Sequence, residues 1–247
     1  MVTTSWDDGH PMDLKLANLL SEFGIKGTFY VAPHNTQRTA IGVQDLQELS
    51  KRFEIGAHTL SHAKLPNLSD NDLEEEICDS KIELENILGT SVHMFCYPWG
   101  KYNRRVRQAV VSARFIGART TKEFYLNLGT DLYQMPTTIQ CFPLPTWIRL
   151  RHEIITRNWH GLREFSAIGF RKSWVQLANC FFNSVLINGG VWHLWGHSWE
   201  IEEHNLWADL RVVLEGVANR EGVSYFTNTQ VIQQLKNTLS SAREKDL

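Results

Sequence analysis

The sequence predicts an α/β fold of about seven strand–helix units, close to a complete barrel of parallel strands. Three observations predict it. Short apolar runs alternate with longer stretches of helical period. The length, 247 residues, is ordinary for a single barrel. The residues with chemistry to offer fall where predicted strands end, which is where barrel active sites sit.

Taken in order, residues 2–6 form a first strand, closed by the turn Asp7-Asp8-Gly9. Residues 13–23 carry a helical stripe of Leu14, Ala17 and Leu20, and Gly24 stops the helix. Residues 27–31 are the second strand, 43–51 a helix, and 53–56 a short strand that delivers the chain to His58. Residues 70–88 are an amphipathic helix, with capping residues from Ser69 to Asp72 and Gly89 at its end. A strand at 93–96 is stopped by Pro98 and Gly100, a helix follows at 103–113, then strands at 115–120 and 132–139. The stretch 142–171 is the least periodic: 147–157 reads as helix, and 159–170 as a surface insertion or lid. A helix at 173–187 ends on Gly189-Gly190, and 191–196 is the late strand. A helix at 205–221, a strand at 223–227 and a helix at 229–239 complete the chain. With no repeat and no low-complexity linker, residues 1–247 read as one domain.

Composition narrows the function classes. A chain of this size buries enough surface to fold without a structural metal, so a metal here would be catalytic. The formal net charge of −2 argues against a broad electrostatic footprint for nucleic acid or anionic membrane. The basic cluster Lys101, Arg104, Arg105 and Arg107 reads as a solvated helix face. Cys78, Cys96, Cys141 and Cys180 form no CxxC pair and no disulfide framework, and free thiols suit a reducing compartment. The first residues lack the basic and apolar regions of a signal peptide, and no apolar run approaches a membrane span. These features together lead to the expectation of a cytoplasmic protein without a membrane span.

Three constellations carry chemistry. Asp7-Asp8 places two carboxylates side by side after a strand. A cation held by one of them would relieve their repulsion and leave the other free as a base, although Asp-Gly is also a common turn pair. His58-Thr59-Leu60-Ser61-His62 sets two histidines four apart, able to share an ion on one face of a turn. Position 59 is threonine, so this is not the HExxH protease motif. One carboxylate and two imidazoles give the three protein ligands of a catalytic site with an open position. The third constellation, His193 to Glu200, offers an acid for a leaving nitrogen. His193 and His197 share a face by strand alternation, and His197 is nearer the strand end.

These segments resemble the polysaccharide deacetylase family, also called the NodB-homology or carbohydrate esterase family four. Thr4-Ser5-Trp6-Asp7-Asp8-Gly9 is similar to its first motif, Thr-Phe-Asp-Asp-Gly, and His58 to His62 to its second, His-Ser/Thr-x-x-His. Phe95-Cys96-Tyr97-Pro98-Trp99-Gly100 resembles its third, often Phe-Arg-Pro-Pro-Tyr-Gly, and His197-Ser198-Trp199-Glu200 the His-Pro-Trp-Glu of several branches. The motifs stand in family order.

The resemblance implies a distorted (β/α) barrel of about seven strands with one divalent metal held by Asp8, His58 and His62. Zinc heads the candidates, with cobalt, nickel or iron also suited to Asp-His-His. It implies Asp7 as base and His197 as acid. The Tyr97–Trp99 backbone would hold the oxyanion. Tyr97, Pro98, Trp99, Trp195 and Trp199 would line the substrate groove. The expected reaction is removal of an N-acetyl or other short N-acyl group from an amino sugar, a glycan or its precursor. The alternatives are a deformylase or cyclic-amide hydrolase of the same fold, and a catalytically silent carbohydrate-binding relative. In two places the sequence departs from the family. The third motif's arginine is Cys96 here, and Arg119 is the expected replacement for its charge; the fourth motif is not recognisable.

Overall fold

The computed structural model describes residues 1–155, 157–169 and 172–245. Seven parallel strands form one curled sheet in the order β5-β4-β3-β2-β1-β7-β6. They are β1 (Val2–Trp6), β2 (Thr28–Val31), β3 (Glu54–Ala57), β4 (Met94–Cys96), β5 (Gly117–Arg119), β6 (Ile139–Gln140) and β7 (Trp192–Gly196). Helices fill the connections: α1 (Asp13–Glu22), α2 (Val43–Ser50), α3 (Asp70–Glu74), α4 (Ser80–Leu88) and α5 (Arg104–Ser112) in the first half. The second half carries α6 (Thr146–Ile155), α7 (Trp159–Ile168), α8 (Trp174–Asn188), α9 (Ser198–Glu203), α10 (Trp207–Val217) and α11 (Asn228–Lys245).

The two outer edges meet through one segment. The Met135 N–H donates to Ala118 O beside β5, and Thr138 N–H donates to His193 O on β7. Pro136 has no N–H and interrupts this run. The predicted strand 132–139 is therefore split into a bridge at Met135 and the short β6. Closure is completed this way, and the result is the distorted α/β barrel that the sequence predicts.

Polar residues are buried inside the barrel, and several of them tie its elements together. Asn228, the first residue of α11, donates through Nδ2 to Thr3 Oγ1 and accepts from Tyr30 Oη, while its N–H donates to Thr28 Oγ1. One asparagine thus joins α11, β1 and β2 at the end of the barrel opposite the site. Trp6 and Phe29 of the strands and Leu16 and Leu20 of α1 belong to the main apolar core.

Three elements differ from the sequence reading. Residues 223–227 do not form a strand: Tyr225 makes an isolated bridge to Val2. β2 pairs with β1 only from Ser5 onward, so the free part of that edge is Val2 to Thr4, of which Val2 bridges Tyr225. Residues 75–79 form a π-helical turn between α3 and α4, where a continuous helix was expected. The stretch expected as an insertion or lid is the helical pair α6–α7; residues 156, 170 and 171 of it lie outside the described residues. In the basic cluster, Arg105 is ion-paired with Asp70 and Arg107 with Asp131.

Candidate metal centre

Five of the seven strands deliver side chains to one end of the barrel. Asp7 and Asp8 follow β1, His58 follows β3, Arg119 ends β5, Gln140 ends β6 and His197 follows β7. The turn after β1 is tight. Gly9 has φ +65°, and a Cβ there would lie 2.7 Å from the Val31 side chain, so only glycine fits. Asp8, Thr59 and His62 hold positive φ of 84°, 66° and 63°. Three non-glycine residues in this region, each costing about 1–3 kcal/mol, mark the two loops as shaped for function.

The Asp8, His58 and His62 side chains converge. Asp8 Oδ1 lies 3.7 Å from His58 Nε2 and 3.3 Å from His62 Nε2. Donor atoms at about 2.0–2.2 Å from a tetrahedral ion lie roughly 3.3–3.6 Å apart, so the spacing suits one cation. His58 Nδ1 donates to Cys96 O at 2.8 Å, which leaves Nε2 as the lone-pair nitrogen facing Asp8. Trp199 Nε1 donates to Asp8 Oδ2 at 2.8 Å, yet the buried Oδ1 has no hydrogen-bond partner. A buried carboxylate oxygen without a partner is costly unless a cation completes it. Burial keeps both imidazoles neutral, the ligand form: it lowers His58, and together with the neighbouring His58 it brings His62 down to about 4. The residues fit a divalent ion.

Asp7, His58 and Cys96 form a second close grouping. It suits a cation less well. Arg119 already occupies the Asp7 carboxylate, and burial pushes the Cys96 thiol well up, away from thiolate.

Asp7 is buried and ion-paired with Arg119. Burial alone would raise the Asp7 carboxyl, but the Arg119 guanidinium above all, with His197, overcomes it and holds it below the ordinary carboxylate value. Cys96 and Arg119 are register partners across β4 and β5, so a guanidinium on either strand end reaches the same place. Arg119 sits between the rings of Tyr30 and Trp195, at 5.4 and 5.0 Å from their centroids.

The late strand separates its two histidines. His193 lies inside the barrel: Nδ1 donates to Pro136 O at 3.0 Å, and Nε2 accepts from Ser5 Oγ at 2.8 Å. Burial, with Arg119 nearby, pushes it down to about 3. His197 lines the cavity, 4.0 Å from Asp8 Oδ2, and its Nδ1 donates to Glu200 Oε2 at 2.6 Å. Burial works against its charge, but the Glu200 hydrogen bond and the Asp8 and Asp7 carboxylates raise it to about 9.

A cavity of about 430 Å³ opens over these groups, with Trp99, Trp195 and Trp199 in its walls. Trp99 stands beside His62, ring centroids 4.2 Å apart. Tyr97 and Pro98 do not line the cavity. The Tyr97 ring is buried against Tyr102 and its hydroxyl donates to Tyr133 O, and Pro98 is buried. The Tyr97 N–H is also committed, to Arg119 O, and proline has none, so among the described residues Trp99 holds the free N–H of the three.

Sequence reasoning did not single out several residues at the site. Glu76 takes the backbone N–H groups of Leu60 and Ser61, each at 2.9 Å, and the Ser61 hydroxyl, clamping the loop between the two histidines. Nothing local in the sequence announces it, because the π-helical turn sets where it points. Glu200 was within reach, three residues after His197 on one turn. Glu123 holds Arg149 of α6 and the Trp195 Nε1 at the far wall, a tertiary arrangement with no sequence period.

Comparison with known proteins bears on the fold and on the first half of the chain. The family model described as polysaccharide deacetylase matches residues 1–116. Over its first 116 residues the chain is similar to that family. Among curated proteins, the putative polysaccharide deacetylase YxkH of Bacillus subtilis is 24% identical over 137 residues, 54% of this chain and 49% of that protein. The chain thus spans about half the length of the curated deacetylase it matches. Among solved structures, a putative polysaccharide deacetylase from Mycobacterium smegmatis has a TM-score of 0.69 at 16% identity, covering 96% of this chain and 91% of that one. BA3943, a CE4 family pseudoenzyme from Bacillus anthracis, has a TM-score of 0.55 at 13% identity, covering 94% and 65%. Both structural likenesses are likenesses of fold.

Proposed function

We propose that this chain is a metal-dependent deacetylase that removes the N-acetyl group from an amino sugar in a glycan or its precursor. The reading is carried by the orphaned Asp8 Oδ1, set between two neutral imidazoles with Asp7 and His197 alongside. Asp8, His58 and His62 hold one divalent ion, which when bound supplies Lewis-acid polarisation of the acyl carbonyl and of water. Asp7, kept ionised by Arg119, takes a proton from the attacking water. His197, protonated through its hydrogen bond to Glu200, gives a proton to the leaving nitrogen. The Trp99 N–H is the donor available to the developing oxyanion. Trp99, Trp195 and Trp199 offer apolar faces for a sugar ring.

The test is a screen of acetamido and formamido sugars, free, nucleotide-linked and polymeric, with protein loaded with zinc, cobalt, nickel or iron. Acetate and a free amine in equal amounts support the reading, formate redirects it to a deformylase, and no amine from any substrate overturns it. The second reading is a silent carbohydrate-binding relative, favoured by fold likeness to a pseudoenzyme. Elemental analysis separates the two: protein that neither retains nor rebinds metal supports the silent relative.

A further inference from the structure

The helical pair α6–α7 carries a surface that the metal centre does not use. Trp147, Ile154, Ile155 and Trp159 are 63%, 53%, 65% and 64% exposed, although large apolar side chains are normally covered. On α6, positions 147, 151, 154 and 155 fall at i, i+4, i+7 and i+8, which is one face of a helix. Arg151 lies among the apolar residues of that face. Arg157 follows α6 in the turn, and Arg163 is one turn after Trp159 on α7. All three arginines are exposed, and none has an ion-pair partner among the described residues.

The inner side of the pair is fixed to the barrel. Arg149 is buried against Glu123, Asn158 caps α7 at Gly161, and the buried Phe165 stacks on Phe124 at 4.7 Å. The outer face is therefore held in place while unpartnered. It is also free of acid at its surface. Residues 142–172 contain six lysines and arginines and two acids, a net +4 in a chain of net −2. Of the two acids, Glu153 is buried and Glu164 half-buried. The near balance of the whole chain hides this local concentration.

We propose that this face seats the protein on the surface of an anionic lipid bilayer. Trp147, Ile154, Ile155 and Trp159 enter the boundary between headgroups and acyl chains, and the three arginines meet lipid phosphates. Large apolar residues interleaved with unpaired arginine are the composition of helices that lie in a membrane interface. A cationic, acid-free surround selects anionic lipid. A neutral glycan would stack on the tryptophans but would gain little from the isoleucine pair or from three unpaired arginines. A second copy of the same face would bring the arginines against each other. The contact is one of surface only, since among the described residues no helix is long and apolar enough to cross a membrane. Leu144 and Ile148 line the cavity from the same segment, so the face adjoins the cavity mouth. This inference rests on the outer surface and does not depend on the proposed hydrolysis.

The experiment is vesicle co-sedimentation with tryptophan emission, comparing mixed phosphatidylglycerol–phosphatidylcholine vesicles with phosphatidylcholine alone. Wild type should bind the mixed vesicles, with a blue-shifted emission, and lose binding as salt rises. Each exposed arginine contributes about fivefold in partitioning, so Arg151→Glu with Arg157→Glu should lower it by more than tenfold. Trp147→Ser with Trp159→Ser should remove both binding and the emission shift. Both pairs are surface changes, and an unchanged thermal midpoint confirms that the fold is intact. Equal binding to neutral vesicles, or full binding by both double variants, overturns the proposal. So does a concentration-dependent dimer, or retention on a soluble glycan, that is lost in the tryptophan variant without any vesicle binding.

Discussion

Arg119, the last residue of β5, forms a buried ion pair with Asp7, the first residue after β1. The two strands are four places apart in the sheet, so the pair exists only because the sheet curls. An opposite charge at contact distance lowers a carboxyl pKa by about 1–3 units. Arg119→Met should therefore move the acid limb of the rate profile upward by about that amount, since Asp7 works only when ionised. The variant also leaves a buried carboxylate unpaired, at a cost of about 3–5 kcal/mol. Arg119→Lys keeps the charge and should recover most of the profile. A pH–rate profile for Arg119→Met that overlays wild type would remove Arg119 from this role.

The two late-strand histidines should answer differently. His197→Ala should retain metal while turnover falls about 10²–10⁴-fold. Its folded-state value of about 9 lies above the ordinary 6.5, so an acid at this position is protonated at neutral pH and is lost as pH rises through its pKa. A bound cation beside Asp8 moves that limb to lower pH. The basic limb should disappear in His197→Ala. His193→Ala instead strips Ser5 and Pro136 O of their partner, costing about 1–3 kcal/mol per unsatisfied group, with turnover per folded molecule kept. Circular-dichroism melts set beside turnover per folded molecule separate the two, and the opposite pattern would reassign the acid.

Much of this arrangement was legible because it is local. A ligand that follows a strand is delivered by that strand, so Asp8 after β1 and His58 after β3 could be read from strand ends alone. The nearness of Arg119 to Cys96 was legible for a similar reason: both sit at the ends of strands, and the two strands are neighbours. Period-two alternation put His193 and His197 on one face, and depth along the barrel divides them. What stayed hidden depends on distant parts of the chain. Glu76 reaches the histidine loop through a π-helical turn that no hydrophobic period announces. Residues 223–227 had strand composition, but β2 takes the edge they would join from Ser5 onward and leaves only Val2 to Thr4 free. The Arg149–Glu123 pair joins a helix to the loop after β5, and only packing sets that.

Glu76 yields a prediction about metal affinity. Its carboxylate fixes the backbone of Leu60 and Ser61, midway between His58 and His62, while the positive φ of Thr59 and His62 strains the same loop. Removing such a support costs roughly 10–100-fold in affinity for the ion. Glu76→Ala should weaken zinc binding by that factor in a chelator-competition titration of protein whose helical signal is unchanged. Glu76→Gln retains one acceptor oxygen and should fall in between. Wild-type affinity in Glu76→Ala would show that strand ends alone hold the ligands.

Asp13 governs how stability changes with pH. It lies buried in the first turn of α1, where Oδ1 accepts from Ser198 Oγ at 2.6 Å and Oδ2 has no hydrogen-bond partner. Burial raises its carboxyl from 3.8 to about 8, against the Ser198 hydrogen bond. Below pH 3.8 the carboxyl is protonated whether the chain is folded or not, so it adds no dependence. Between that value and about 8 the unfolded chain is ionised and the folded one protonated, so folding takes up a proton. Stability from this group therefore falls as pH rises through the window, by about 1.4 kcal/mol per pH unit, and levels off above it. Asp13→Asn keeps an acceptor for Ser198 and carries no charge, so its advantage over wild type should grow steadily from pH 5 to pH 8. Urea unfolding at several pH values measures that difference. A constant difference across the window would mean that Asp13 is ionised in the folded protein and that α1 accommodates the charge.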